Sequence, residues 1–160
     1  MKQLAALALV LITLTPSYIR GAEPAPDLFL GKWVLDSNAS HYPGKTCPKA
    51  MIIEMTREPR GVHYHSHTEP RVGEPFDVDY TAEYDGKPAM VSGTKGILLP
   101  VTLQRTNDGV TATYRNAFQV AATSRRTLSE HNRTMTITTV SYDSAGTAVT
   151  NIGVYRRAAE

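Results

Sequence analysis

Cysteine is nearly absent from this sequence, which has one, Cys47, among 160 residues. A single cysteine cannot form a disulfide within the chain, so an internal disulfide framework is excluded. Cys47 is therefore either a free thiol or a partner in a bond to another molecule. The stability of the fold has to come from packing and hydrogen bonds.

Long hydrophobic runs are also missing, apart from one near the start. Residues 4–14 are apolar except for Thr13, a run of about eleven residues, whereas a membrane-spanning helix needs roughly twenty. A basic residue, Lys2, precedes the run, and small residues follow it. This pattern predicts a signal peptide over residues 1–22, with cleavage between Ser17 and Ala22. We therefore expect a periplasmic or secreted protein with no membrane span.

An excess of charge of one sign is absent once this leader is removed. If the cut follows Ala22, the leader takes Lys2 and Arg20 with it, so 15 basic residues remain against 15 acidic ones. A neutral domain without a clustered basic face is not expected to bind nucleic acid. The remaining chain, about 138 residues, is a suitable size for one domain with one core.

Motifs for catalysis are absent too. The sequence has no Gly-x-Ser-x-Gly elbow or other nucleophile motif. Cys47 precedes Pro48 in a loop bounded by Pro and Gly, with no neighbours that would activate its thiol. We predict a protein that is not an enzyme and carries no cofactor.

The sequence does have the alternation of β-strands. The clearest segment is 76–84, where apolar and polar side chains alternate with period two. Shorter segments of the same kind begin at Met51, Val101, Val110, Phe118, Met135 and Ile152. Turn-forming residues separate them, as at 85–88, 107–109 and 143–146. No run of helical period is found after the leader.

These segments fit two antiparallel architectures, a sandwich or an up-and-down barrel. Consecutive hairpins favour the barrel because a meander closes on itself without long crossovers. Closure also removes exposed strand edges. We predict an all-β, antiparallel up-and-down barrel of about 8–10 strands over residues 31–158, after a Pro-rich lead-in at 23–30.

Several short motifs, each present once, follow one another along the domain in a recognisable order. They are Gly31-Lys32-Trp33-Val34-Leu35-Asp36, Ser40-His41-Tyr42-Pro43-Gly44, Tyr80-Thr81-Ala82-Glu83-Tyr84-Asp85-Gly86-Lys87-Pro88, Arg126 ahead of Ser129, Thr134-Met135-Thr136-Ile137-Thr138 and Asn151-Ile152-Gly153-Val154-Tyr155. Together they resemble a family of small exported bacterial proteins with a lipocalin-like domain, a calycin-type β-barrel. The resemblance implies the fold and the export route, and it assigns no ligand.

Arg126 is the charged residue of most interest. Arg126 lies an even number of residues from Phe118 and Ala122, so strand alternation places all three side chains on the inward face. An isolated charge inside a barrel is very costly. In lipocalin-like barrels an arginine packs across the early tryptophan, which implies a stack of Arg126 on Trp33, with Arg156-Arg157 as competitors for that position. In the alternative, Arg126 anchors a carboxylate or another anionic ligand head.

Aromatic side chains complete the predicted ligand site. Tyrosines can line an amphipathic pocket with ring area and hydroxyls, or they can fill the barrel. An eight-stranded barrel is just wide enough for side chains or one small ligand. The predicted ligand-binding residues are Trp33, Tyr80, Tyr84, Tyr114, Phe118, Arg126 and Tyr155.

A histidine-rich strand provides the candidate metal site. His63, His65 and His67 alternate along one strand, so their imidazoles lie on one face, roughly 6.5 to 7 Å apart. Zinc or copper suits such ligands, and an oxygen of Glu69 or Asp79 could complete the site. Tyr64, however, fits the inward set, which leaves the histidines facing water.

We therefore expect a monomeric exported binding module that holds a small apolar or amphipathic molecule. The alternative is a metal-binding or purely structural envelope protein with a packed barrel. Interior volume separates the two, because a continuous cavity of about 300 Å³ or more favours a binding module.

Overall fold

A computed structural model of the protein describes residues 26–59, 61–94, 96–97, 99–129 and 131–159. Within them the chain forms twelve β-strands and one short 3-10 turn, Pro43–Lys45. The strands are β1 (Gly31–Leu35), β2 (Ala50–Glu58), β3 (Gly61–Glu69), β4 (Phe76–Ala82), β5 (Asp85–Ala89), β6 (Ser92–Gly93), β7 (Gly96–Ile97), β8 (Val101–Thr106), β9 (Gly109–Asn116), β10 (Gln119–Leu128), β11 (Thr134–Tyr142) and β12 (Ala148–Arg157).

All of these strands belong to one antiparallel sheet with the order β5-β8-β9-β10-β11-β12-β1-β2-β3-β4-β6-β7. Most neighbours in the sheet are also neighbours along the chain, as in a meander. Strand β12 pairs with β1, and β4 contacts β8 on the opposite side, so the sheet curls into a barrel. The predicted up-and-down β-barrel is confirmed. The strand count exceeds the prediction because β6 and β7, of two residues each, interrupt the connection from β5 to β8.

The two ends of the barrel differ. At one end lie the turns β2–β3, β4–β5, β8–β9 and β10–β11, and residues 26–30 pack across it with Phe29 buried in the core. We call this the closed end. At the other, the mouth end, lie the connections β1–β2, β3–β4, β9–β10 and β11–β12. The long β1–β2 connection contains Cys47, which is a buried free thiol.

Inward-facing side chains alternate along the strands as the period-two pattern predicts. Tyr80 and Ala82 are buried on β4, and Val62 and Tyr64 are buried on β3. The core near the closed end consists mainly of Trp33, Ile53, Met55, Val62, Leu103, Val110, Ala112 and Met135.

The prediction for Phe118 is wrong. Phe118 lies in the turn between β9 and β10 and is 99% exposed. The residue before it, Ala117, has a φ of 50°, which turns the chain away from the strand. A register shift between Val120 and Ala122 then interrupts the β9–β10 ladder, so strand alternation does not extend to Phe118.

The predicted leader, residues 1–22, lies outside the residues that the structure describes. In the described part of the chain, no helix is long and apolar enough to cross a bilayer.

Candidate functional site

A cavity of about 840 Å³ occupies the barrel interior toward the mouth end. Its wall is largely apolar, with Met51, Val78, Val91 and Leu99 among the lining side chains. Ligand pockets in proteins typically enclose about 300–1,000 Å³. The barrel is therefore hollow, and its interior has room for one small molecule.

Arg126 lies in the wall of this cavity and is only 3% exposed. Its Nη2 donates a hydrogen bond to Tyr80 Oη, and its Nη1 lies 3.7 Å from Met55 Sδ. The guanidinium carbon lies 4.8 Å from the centre of the Tyr64 ring. Within the described residues, Nε has no hydrogen-bond partner and no carboxylate forms an ion pair with Arg126.

Tyrosines surround this cation. Burial by itself lowers the pKa of Arg126, but the phenol oxygens of Tyr80, Tyr114 and Tyr64 outweigh that effect and raise its pKa overall. Burial raises the pKa of Tyr64 to about 12 and that of Tyr114 well above its ordinary value. At neutral pH the site therefore combines a positive guanidinium with neutral hydroxyl groups.

The implied stack of Arg126 on Trp33 is wrong, because Arg157 occupies that position. Trp33 and Arg157 are directly opposite each other in the β1–β12 register, and the guanidinium carbon of Arg157 lies 4.2 Å from the Trp33 ring centre. Arg157 also donates from Nη1 to the carbonyl of Leu30 at 2.7 Å. Trp33, fully buried, belongs to the closed end and is not a cavity-lining residue.

Tyr84 also belongs to the closed end. Its hydroxyl donates to Asp27 Oδ2 at 2.7 Å, and Arg105 Nη2 lies 2.6 Å from the same oxygen. The Arg105 guanidinium lies over the Tyr84 ring at 4.2 Å. This closed-end cluster of Asp27, Tyr84 and Arg105 attaches the lead-in segment to the barrel, and Tyr84 is not in the cavity wall.

Three of the other four predicted ligand-binding residues line the cavity. Tyr114 and Tyr155 line it together with Arg126. Tyr80 is not a lining residue, but it accepts a hydrogen bond from Arg126 and stacks on Tyr64, with ring centres 4.7 Å apart.

Sequence reasoning missed several polar and aromatic lining residues. These are Tyr42, Tyr64, Ser66, Thr68, Ser124, Thr139 and Asn151. Alternation could have identified some of them, since Ser66 and Thr68 share the inward face of Tyr64, and Ser124 shares that of Arg126. Tyr42 gives no periodic signal because it lies in the β1–β2 connection.

The histidines of β3 face outward and contact two carboxylates of β4, with His63 and His65 sharing Asp79. His65 Nδ1 lies 2.8 Å from Asp79 Oδ1, and His67 Nδ1 lies 2.7 Å from Asp77 Oδ1. His63 Nε2 lies 3.5 Å from Asp79 Oδ1. In the described residues, no group of three or more His, Cys, Asp or Glu side chains is arranged to hold a metal ion. The structure thus forms a ladder of His–Asp contacts on the outer face of β3 and β4.

Comparison with known proteins identifies the architecture. No protein-family model matches the chain, and no curated protein matches it. Among solved structures, the chain is similar to the zebrafish ileal bile acid-binding protein in complex with cholic acid, with a TM-score of 0.58 and 12% sequence identity. The match covers 82% of this chain and 100% of that one. At this identity the likeness shows the fold alone, and the chain has the fold of a calycin-type β-barrel.

Proposed function

We propose that the protein binds a small amphipathic molecule inside its barrel, with the acidic head of that molecule at Arg126. The observation that carries the proposal is a buried guanidinium without a carboxylate partner among the described residues, in the wall of an apolar cavity of about 840 Å³. Apolar surface in the wall would accommodate the body of the ligand.

Electrostatics supports an anionic head group. A buried charge is costly unless it is paired and hydrogen-bonded, and the Arg126 environment supplies only neutral groups. A ligand carboxylate could accept charge-assisted hydrogen bonds from the outer guanidinium nitrogens of Arg126, which lines the cavity. The hydroxyl of Tyr114, which lines the cavity and is hydrogen-bonded to Tyr80, belongs to the same neutral cluster.

The similar zebrafish protein supports binding as the activity, in place of catalysis. That protein is a bile acid-binding protein and was solved with cholic acid, an amphipathic acid. A shared fold does not specify a ligand, so the head-group assignment for this chain rests on Arg126.

The head-group proposal can be tested with dansyl-labelled undecanoic acid and its methyl ester, followed by dansyl fluorescence. We expect the acid to bind about tenfold or more tightly than the ester, because only the acid forms charge-assisted hydrogen bonds. Arg126→Met should remove this preference. Displacement by cholic acid would show whether a rigid amphipathic acid also enters.

The matched control is Arg125→Met. Arg125 is the preceding residue on β10, but it faces solvent and pairs with Asp108, so its replacement should leave both affinities unchanged. Absence of acid binding to the wild-type protein would overturn the proposed function. If Arg126→Met and Arg125→Met lose the preference for the acid over the ester to the same extent, the assignment of the head group to Arg126 would be overturned.

We also propose that the protein is exported to the periplasm or the medium, on the strength of its N-terminal sequence pattern. Intact mass spectrometry of protein from its own host should show a chain that lacks about 17–22 N-terminal residues. Full-length protein in the cytoplasm would contradict this proposal.

A further inference from the structure

Exposed large apolar side chains are concentrated at the mouth end of the barrel. Val72 in the β3–β4 connection is 90% exposed, and Phe118 in the β9–β10 turn is almost fully exposed. The others at this end are Met90, Leu99, Val120 and Tyr142. In the described part of the chain, the remaining two are Leu28 at the closed end and Val34 on the outer face of β1. Soluble proteins usually scatter such residues singly, so a concentration around one opening calls for an explanation.

These side chains follow one another around the mouth. The strand order places the β3–β4 connection beside the segment that joins β5 to β8, followed by the β9–β10 turn and then the β11–β12 turn. Each of these connections carries or adjoins at least one exposed apolar side chain. We call the set of Val72, Met90, Leu99, Phe118 and Tyr142 the apolar rim.

The apolar rim leads directly into the cavity. Leu99 belongs to both, since it lines the cavity and is also partly exposed. Val91, the residue after Met90, is buried in the cavity wall, and Phe76 lines the cavity where the β3–β4 connection ends. A molecule that enters the cavity from this end therefore moves along apolar surface.

The turn that carries Phe118 has an unfavourable backbone. Asn116 pairs with Gln119, which leaves a two-residue turn of Ala117 and Phe118. Ala117 has a φ of 50°, a conformation that Gly or Asn normally occupies in such turns. The sequence thus combines backbone strain with a phenyl group in water, and neither improves the packing of the barrel. Strain of this kind is concentrated at functional surfaces.

The chemistry of the ligand identifies the partner. An amphipathic acid with an apolar body resides mainly in lipid when it is outside the protein, because water excludes apolar surface. Phenyl and phenol rings are well suited to the boundary between lipid head groups and acyl chains. Exposed charges of both signs accompany the rim, so the mouth does not require an anionic surface; they are Lys45, Lys49, Glu69, Arg71, Glu74, Arg115 and Asp143.

We infer that the apolar rim inserts into the surface of a lipid bilayer, so that the cavity opens onto the membrane and exchanges its ligand there directly. The docking depends on the rim alone. The ligand exchange rests on the proposed function.

Docking can be measured on the ligand-free protein by flotation with phosphatidylcholine vesicles. We expect the wild-type protein to float with the vesicles and Phe118→Ser to weaken binding about tenfold, because the phenyl group no longer passes from water into lipid. Val72→Ser should weaken binding by a smaller factor. The matched control is Leu28→Ser at the closed end, which should bind as the wild type does. High salt should change these affinities little, since the rim is apolar.

Ligand exchange can be followed with the dansyl-labelled acid as it moves from the protein to phosphatidylcholine vesicles that contain an energy-transfer acceptor. Direct exchange from the docked protein makes the transfer rate proportional to vesicle concentration, whereas release into water makes it independent of that concentration. We expect proportionality, with a slope about tenfold lower in Phe118→Ser and unchanged in Leu28→Ser. The equilibrium affinity for the acid should be equal in all three proteins, because both replaced side chains lie outside the cavity wall.

The outcomes distinguish docking from the proposed function. Failure of the wild-type protein to float would overturn the inference, as would equal losses in Phe118→Ser and Leu28→Ser. A dimer in analytical ultracentrifugation that depends on Phe118, without vesicle binding, would overturn it in favour of a second copy of the chain. A transfer rate that does not depend on vesicle concentration would overturn direct exchange. If the dansyl-labelled acid does not bind, the proposed function fails, and flotation without ligand still decides the docking.

Discussion

The guanidinium of Arg157 lies over the ring of its cross-strand partner Trp33, with 4.2 Å between the guanidinium carbon and the ring centre. Its nitrogens also donate to the carbonyls of Leu28, Leu30 and Asn132. Among the described residues, Arg126 has no comparable set of main-chain acceptors. The two arginines therefore differ in role, since one is fully engaged in closing the barrel and the other has hydrogen-bonding capacity left for a ligand.

Replacing Arg157 should destabilise the protein. We expect Arg157→Met to lower the free energy of unfolding by about 2 kcal/mol or more, through the lost cation–π contact and the unpaired carbonyls. Denaturant unfolding followed by the fluorescence of Trp33, the one tryptophan of the chain, measures this directly. Arg156→Met is the control, because the exposed pair of Arg156 with Asp36 should contribute less than about 1 kcal/mol. Equal effects in the two variants would contradict the closing role of Arg157.

Replacing Arg126 should have little effect on the stability of the ligand-free protein. Arg126→Met removes a buried charge that lacks a counter-ion. This favourable change offsets the loss of the hydrogen bond from Arg126 to Tyr80. We expect a change in unfolding free energy within about 1 kcal/mol, measured by denaturant midpoint without ligand. A loss as large as that in Arg157→Met would show that Arg126 is mainly structural.

The inward position of Arg126 could be predicted from the sequence because its strand has one buried and one exposed face. The same alternation predicted the buried positions of β4, including Tyr80 and Ala82. The arginine that stacks on Trp33 could not be predicted in this way. That contact depends on the register between β1 and β12, which pairs Trp33 with Arg157. The alternation within each strand shows which face is inward, but it does not show which residue of a distant strand lies opposite.

Strand alternation was misleading on β12, and this concealed Asn151. Ile152 and Val154 are its most apolar residues, yet the side chains at the cavity and core are Asn151 and Tyr155. The β1–β2 connection runs alongside β12, where His41 N donates to the carbonyl of Ile152 at 2.8 Å, and Ile152 and Val154 are themselves half-buried. An outer face that is itself half-buried takes apolar residues, so the period of two no longer shows which face points inward.

The closed-end cluster should make the stability of the folded protein fall at low pH. Burial opposes ionisation of Asp27, but hydrogen bonds from Arg105, Tyr84 and the amide of Phe29 outweigh it and lower its pKa. Because the folded pKa lies below the unfolded value of about 3.9, this stabilisation is complete above that pH and is lost as the pH falls through the folded pKa.

Asp27→Asn should therefore reduce stability at neutral pH by about 1–2 kcal/mol and weaken the dependence on pH below 4. Thermal unfolding of both proteins from pH 2 to pH 7 is the measurement. Asp108→Asn, in an exposed pair with Arg125, should change much less. Parallel pH profiles for wild type and Asp27→Asn would show that the cluster does not stabilise the folded state.

The His–Asp ladder leads to a prediction about metals. A shared metal ion needs imidazole nitrogens that converge on one point, but His65 and His67 each direct Nδ1 at a different carboxylate on β4. Excess Zn²⁺ should therefore raise the melting temperature of the wild-type protein no more than that of a variant with His63, His65 and His67 all replaced by Gln. The ligand-linked stabilisation of a true site grows with the logarithm of free metal, so a titration distinguishes it from weak surface binding. The contrary result is a melting-temperature shift that grows with the logarithm of free Zn²⁺ in the wild-type protein and is absent from the triple variant. It would mean that the His–Asp ladder rearranges around a metal ion, as the metal site predicted from the sequence requires.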